Sequence, residues 1–376
     1  MVTAAAAAAA FSPSEATFPL SEHAQSSRLR QVLSEFGSTC EFRDAVASLA
    51  ALGLGASFKT IERVSEEVGA VVSAERLKQA AGASAEELAP ENPAELLVVQ
   101  GDGMRVRLRE EAAASREDED LTVTEQTLNW RECKVGVVAR CLRGRMLADG
   151  RYQEPETLVQ SHVATLEDIV CFGKLLRSEA ERRGWGVAKE VAALSDAGHG
   201  LPGMWAREFP GLRWIVDFQH AKSRLSECAA VVHPPGEGFT KLYRHWEGLL
   251  YNGRMDILLR EMAARAEEHA GRPEKAADLA EASPGRVLWT HIFYMETYRD
   301  HMHYPAYRAL GWPIASGHVE AACKRVGVRM KAANKRWTRY GAGAIAHLIA
   351  ERACSDGRWL KRWPQPIYAA QEVQSN

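Results

Sequence analysis

Residues 95–218 alternate short apolar runs with helical periodicity, and this order limits the folds open to the chain more than any other feature. Residues 96–100 (LLVVQ) are an apolar run, residues 104–108 alternate Val and Leu with Arg, and residues 132–141 (ECKVGVVARC) are a third such stretch. Runs of this length bounded by Gly and polar residues predict β-strands. The Gly101-Asp102-Gly103 corner between the first two predicts a hairpin whose turn begins at Asp102. A helical pattern follows over residues 163–183, and residues 187–194 and 212–218 again predict strands. The order is therefore β-β-β-α-β-α-β. Strands joined by short turns pair antiparallel, whereas strands separated by helices are parallel crossover units.

Three antiparallel strands followed by parallel α/β units is the order of the ribonuclease H-like fold. The expectation is an α/β protein with a mixed five-stranded sheet, an all-helical insertion and a helical N-terminal region. Residues 1–38 are Ala/Ser-rich and read as a poorly ordered tail, apart from a helix over 27–36. Residues 39–90 are helical. Val46, Leu49, Ala50 and Leu52 form one stripe and Ile61, Val64 and Val68 another, with Gly53-Leu54-Gly55 between them and Ser57 as N-cap of the second helix. Two helices around a glycine turn suit either a helix-turn-helix that reads DNA or an ordinary helical hairpin. The core occupies 91–220 and is completed by 312–376. Residues 221–311 form the insertion, long and amphipathic, with breaks at His233-Pro-Pro-Gly236, Gly271-Arg-Pro273 and Ser283-Pro-Gly285.

The net charge of −2 over 376 residues does not mark the whole chain as a nucleic-acid binder, but the distribution is uneven. Residues 110–120 are acidic. Beyond Glu320 come Lys324, Arg325, Arg329, Lys331, Lys335, Arg336 and Arg339 with no acid among them. One carboxylate at the head of a cationic, helix-forming run suggests a metal ligand beside a polyanion seat. Trp337 within the run suits either base stacking or a helix core. The seven cysteines are scattered without a Cys-x-x-Cys pair, which argues against a zinc ribbon or a disulfide framework and favours a reducing cytoplasm. The N-terminus lacks the pattern of a signal peptide, and no apolar stretch is long enough to span a bilayer.

Two-metal phosphodiester chemistry needs carboxylates on both sides of an ion pair about 3.5–4 Å apart. Asp102 and Asp196 each follow an apolar strand candidate, so adjacent strands would bring both side chains to one spot, and Glu320 would reach that spot from a helix. Singly, each acid reads equally as a turn or cap residue; the case rests on the three together. His220 in Asp217-Phe-Gln-His could order an acid, move a proton or hold a phosphate. His301 and His303 are spaced for phosphate or backbone contact rather than for a helical metal site.

These residues resemble bacterial insertion-sequence transposases of the Mutator-like DDE group. The likeness is strongest from Tyr304-Pro305 through Gly311-Trp312-Pro313-Ile314, Ser316-Gly317, Val319-Glu320, Arg329-Met330-Lys331 and Arg336-Trp337 to Gly341-Ala342. It continues in Trp205, Phe209-Pro210-Gly211 and Ile215-Val216-Asp217 to His220, and in Gly101-Asp102-Gly103 with Glu132-Cys133-Lys134-Val135-Gly136. The resemblance implies a triad of Asp102, Asp196 and Glu320 holding two Mg²⁺ or Mn²⁺ ions, with His220 as an accessory residue. It implies cleavage and strand transfer at double-stranded element ends and target DNA, in a dimer or larger assembly, in the cytoplasm and on the nucleoid when bound. Lys324, Arg325, Arg329, Lys331, Lys335, Arg336, Trp337 and Arg339 would bind the DNA. Asp196-Ala197-Gly198 and Ala315-Ser316-Gly317 depart from the family's Asp-Gly-Ala and Gly-Ser-Gly, and the acidic stretch 110–128 is extra. A degenerate relative that binds element ends without cutting is therefore the alternative.

Overall fold

The computed structural model describes residues 25–82, 93–109, 130–198, 200–331 and 335–364. Its centre is a mixed five-stranded sheet built from β1 (Leu96–Arg107), β2 (Trp130–Leu142), β5 (Glu156–Thr165), β6 (Val191–Ser195) and β7 (Arg213–Val216), in the order β5-β2-β1-β6-β7. β1 pairs antiparallel with β2, and β2 antiparallel with β5; β6 and β7 add in parallel on the other side of β1. A two-stranded ribbon of β3 (Arg145–Met146) and β4 (Tyr152–Gln153) precedes β5.

The expected hairpin at Asp102 is not there. β1 runs straight through Gly101-Asp102-Gly103 and pairs with β2 along its whole length, from Leu96 opposite Cys141 to Arg107 opposite Trp130. The two glycines serve close packing rather than a turn: a Cβ on Gly101 would sit 3.3 Å from Trp205, and one on Gly103 2.5 Å from Glu132. The acidic stretch 110–128 and the tail 1–24 lie outside the described residues. β5 was not expected. Its residues 156–160 are exposed or half-buried, so the apolar signal begins only at Ser161.

The sheet is covered on both faces. On one lies α4 (Ile169–Arg182), where Phe172 and Leu176 meet Gly136 of β2, together with α5 (Leu201–Glu208). A side chain at Gly136 would come within 2.7 Å of Leu176, so the helix and sheet touch through the missing Cβ. On the other face lie α11 (Gly317–Met330) and α12 (Arg339–Ala353), and outside them the N-terminal helices α1 (Ser27–Thr39), α2 (Phe42–Ala51) and α3 (Phe58–Ala80). Ser57 caps α3 as expected, accepting the Thr60 N–H at 3.1 Å. One face of α3 belongs to the core. Ile61, Val64, Val68 and Val72 are buried, and Gly69 lies against the Ala344 carbonyl of α12.

On the inner face of α3, Arg76 is buried with two bonds to Glu351 at 2.7 and 3.0 Å. Arg358, at the start of the short α13 (Arg358–Lys361), grips Glu179 with two bonds at 2.6 and 2.9 Å. This cluster joins the first helical layer, α4 and the C-terminal segment.

Residues between β7 and α11 form helices α6 (Phe218–Val232), α7 (Glu237–Tyr251), α8 (Met255–Glu267), α9 (Pro284–Thr297) and α10 (Tyr304–Ala309), the expected helical insertion. Trp246, Leu258, Met262, Trp289 and Ile292 make its interior, continuous with the sheet's core. The His301 Nδ1–H donates to the Trp214 carbonyl at 3.0 Å, the backbone contact expected of it. No helix among the described residues is long and apolar enough to cross a membrane.

Candidate functional site

The site lies where β1 outruns its parallel neighbour. Gln100 stands opposite Leu194, and β6 ends at Ser195 while β1 continues. Extending that register by two residues sets Asp102 beside Asp196, on the same face of the sheet because strand side chains alternate. Asp102 Oδ1 accepts the Gly103 N–H at 2.7 Å, and its Oδ2 accepts the Cys323 thiol at 3.4 Å. Asp196 Oδ1 accepts the Gly198 N–H at 3.0 Å. Burial pushes the Asp102 carboxyl above its usual range and the Asp196 charge adds to this, against the Gly103 and Cys323 hydrogen bonds and the nearby His220. The Asp196 carboxylate is thus close enough to disfavour charge on Asp102.

Glu320 arrives on the first turn of α11. That turn is fastened to β1 by the Val319 N–H, which donates to the buried Gln100 Oε1 at 2.9 Å, and by Cys323 on Asp102. Glu320 stands between these anchors on the solvent side, its side chain 57% exposed and paired with Lys324 Nζ at 2.9 Å. The Lys324 hydrogen bond and charge hold its carboxyl below the usual range. His220 is close enough to both Asp102 and Glu320 for a proton on it to favour their charged forms.

His220 is held by Asp217, which is 2% exposed and N-caps α6. Asp217 Oδ1 accepts the Gln219 and His220 N–H groups at 2.5 and 3.3 Å, and its Oδ2 accepts the Ser316 N–H at 2.8 Å. One buried carboxylate therefore fixes both the helix bearing His220 and the segment leading to Glu320. The His220 Nδ1 lies 4.0 Å from Asp217 Oδ2 and has no hydrogen-bond partner. The insertion closes the far side. Tyr294 of α9 lies by Ala197 and Asp196, with the Arg224 guanidinium 3.6 Å from its ring.

Asp102, Asp196 and His220 are thus neighbours, with Glu320 on their rim. As they stand, no three His, Cys, Asp or Glu side chains among the described residues converge closely enough to hold an ion. The donor chemistry nonetheless fits a hard divalent cation: carboxylate oxygens whose bonds come from N–H and S–H groups, not from a cation, in the case of both aspartates.

The basic run divides. Lys324, Arg325, Lys331, Arg336 and Arg339 are exposed. Arg329 is not available to DNA: it is 2% exposed, its guanidinium 4.3 Å from the Phe42 ring and 4.8 Å from that of Trp337, and Nε donates to the Gly37 carbonyl at 2.7 Å. Burial lowers its pKa to about 10, so it stays charged at neutral pH. Trp337 cannot stack on a base. It is 6% exposed, edge-on to Phe42, with its indole N–H on the Met330 carbonyl. Lys335 is half-buried, donating to the Arg329 carbonyl at 2.9 Å at the end of α11 and pairing with Glu41 at 3.2 Å.

Gln100, Asp217 and Cys323 were not foreseen as site residues. A polar residue closing an apolar run, and an Asp directly before a helix, were the signals available for the first two. Cys323 carries no sequence signal of its own. Comparison of the chain with protein-family models finds no match, and comparison with curated proteins finds none either.

Proposed function

We propose that this protein is a DDE transposase, cutting and joining DNA at insertion-sequence ends from a ribonuclease H-like core. The single observation that carries the reading is the meeting of Asp102 and Asp196 at neighbouring parallel strands, under a helix whose first turn bears Glu320. The strand order β5-β2-β1-β6-β7 and the helical insertion between Asp196 and Glu320 support it.

In this reading Asp102, Asp196 and Glu320 hold two Mg²⁺ or Mn²⁺ ions. When bound, such ions supply Lewis acidity at the phosphate oxygens. Glu320 joins the aspartates by leaving Lys324, an exposed i,i+4 pair worth only about 0.3–0.5 kcal/mol. Lys324 is then free for phosphate. His220, whose charge reaches Asp102 and Glu320 and whose Nδ1 is unpartnered 4.0 Å from Asp217 Oδ2, can hold or pass a proton at that edge. Lys324, Arg325, Lys331, Arg336 and Arg339 steer duplex DNA toward the carboxylates. Joining two ends calls for a dimer or larger assembly, working on the nucleoid in the cytoplasm.

The test is nicking and strand transfer on duplex DNA carrying element ends, with and without Mg²⁺ or Mn²⁺. Asp102→Ala, Asp196→Ala and Glu320→Ala should each remove product while leaving DNA binding intact; full activity in any one of them refutes the triad. The second reading, a DNA-binding relative that does not cut, is favoured by the Glu320–Lys324 pair and the absence of three converging ligands among the described residues. DNA binding indifferent to Mg²⁺, with no product under any condition, would select it.

A further inference from the structure

α11 lies along β1 in a fixed register. The Val319 N–H meets Gln100, the Cys323 thiol meets Asp102, and a Cβ on Gly327 would lie 3.7 Å from the Met104 side chain. Each step is four residues of helix, about 6 Å at ~1.5 Å per residue, against two residues of strand, about 6.6 Å at ~3.3 Å per residue. The two periods nearly match, so one face of β1 offers one side chain to each turn of the helix. The first of these contacts replaces a cap. Ser316 precedes α11 but its side chain accepts no helix N–H, and Gln100 Oε1 takes the Val319 N–H instead.

The second contact reaches the candidate site. Asp102 Oδ1 is held by the Gly103 N–H of its own strand and Oδ2 by the Cys323 S–H of α11, so two donors from different elements fix the plane of the carboxylate. An ionised carboxylate has about four acceptor positions, so both oxygens keep room for a cation. Carboxylates that bind metals are themselves hydrogen-bonded, and those partners set the direction in which the ligand points. Cys323 is half-buried and lies one turn beyond Val319, so the packing of α11 on β1 carries its sulfur to Asp102.

We infer that Cys323 is a positioning residue: its thiol aims the Asp102 carboxylate at the cation that Asp102 shares with Asp196. The inference rests on the reading of these two aspartates as cation ligands, and extends it to a residue that itself touches no metal. A serine hydroxyl on the same carbon keeps a donor for Asp102 Oδ2, whereas a valine side chain fills the space without one. Donation and packing therefore predict opposite orders for the two variants.

The experiment is Mn²⁺ binding to the full chain without DNA, followed by the electron paramagnetic resonance signal of free Mn²⁺, for wild type, Cys323→Ser, Cys323→Val, Asp102→Ala and the distant control Cys171→Ala. Melting temperatures check that each variant folds. Asp102→Ala should abolish the binding and Cys171→Ala should leave it unchanged. Cys323→Val should weaken it about tenfold, the lower end of the range for losing such a partner because S–H is a weak donor, and Cys323→Ser should stay within about threefold of wild type. Cys323→Val binding as tightly as wild type, or Cys323→Ser binding no better than Cys323→Val, gives Cys323 a packing role and overturns the inference while the metal site stands. A sulfur-to-metal absorption band with Co²⁺ that Cys323→Val loses also overturns it, by making the sulfur a ligand. Mn²⁺ binding that survives Asp102→Ala, or no binding at all, overturns both the inference and the aspartate reading.

Discussion

Replacing Asp217 should cost both stability and site order, and its hydrogen bonds set the size of the effect. Asp217→Ala removes the N-cap of α6, worth about 1 kcal/mol. It also leaves the buried Ser316 N–H without its acceptor, a further loss of about 1–3 kcal/mol. Working the other way, burial raises the Asp217 pKa, so ionisation is less favourable in the folded protein than in the unfolded chain. The two lost interactions come to about 2–4 kcal/mol, from which the relief of burial subtracts. Asp217→Asn keeps one acceptor and a good N-cap oxygen but turns an amide NH₂ toward one of the N–H groups, for a loss of about 1–2 kcal/mol. The sign of the pH effect follows from the raised pKa. The folded state binds this proton more tightly, so the ionisation lowers wild-type stability as pH rises through about 4 toward the folded value. The margin of wild type over Asp217→Asn should shrink over that interval. Urea unfolding followed by tryptophan fluorescence measures all three proteins, and amide hydrogen exchange at Ser316 and His220 reports the local effect. A loss below about 0.5 kcal/mol for Asp217→Ala, or unchanged exchange at Ser316, would show that Asp217 does not hold these segments.

Arg76→Met should destabilise by about 3–5 kcal/mol in urea, because it leaves Glu351 buried without the partner that makes two bonds to it. His162 and His347, both pulled by burial to a pKa of about 3, are neutral in the folded protein. Their contribution is complete above about pH 6.5 and is lost as pH falls toward 3, so His347→Leu should flatten the acid limb of a stability–pH curve by up to about 1.4 kcal/mol per pH unit. Gly69→Ala would put a Cβ 2.2 Å from the Ala344 carbonyl oxygen. It should lower stability by about 1–3 kcal/mol, seen as an earlier urea midpoint, despite alanine's better helix propensity.

The sequence made the strand count and the order of the chain's parts readable, but one strand was misassigned. Apolar runs disclosed β2, β6 and β7 because these strands are largely buried along their lengths. Asp102 was read as a turn because Gly-Asp-Gly is turn chemistry, whereas here the glycines let Trp205 and Glu132 approach a continuous strand. β5 escaped notice because its first half is open to solvent and carries little periodicity. The adjacency of Asp102 and Asp196 was expected from their strand contexts, and the parallel register of β1 and β6 places them side by side. The fate of the basic run was not readable. Arg329 and Trp337 have the composition of a nucleic-acid surface, and only the arrival of Phe42 from a distant helix turns them into core. That contact is long-range, and charge patterning along a helix cannot report it.

The location of the site follows from topology as well as from its residues. β1 has an antiparallel partner on one edge and a parallel one on the other, so the chain departs in opposite directions on its two sides. A helical insertion then separates Asp196 from Glu320 in sequence, which would scatter the site unless its two ends were tied together. They are tied at the exit from the sheet: the Phe218 N–H donates to the Ile314 carbonyl at 2.9 Å, and Asp217 holds Ser316. The Tyr304 hydroxyl adds a third tie, donating to the Val216 carbonyl at 3.0 Å. With entry and exit fastened within a few residues of each other, the length of the helical excursion has little bearing on where Glu320 arrives. The loop-closure cost rises only with the logarithm of its length. The same stitching makes Asp217 the residue through which disorder in the insertion would reach the carboxylates, although Asp217 itself touches none of the three acids' hydrogen-bond partners.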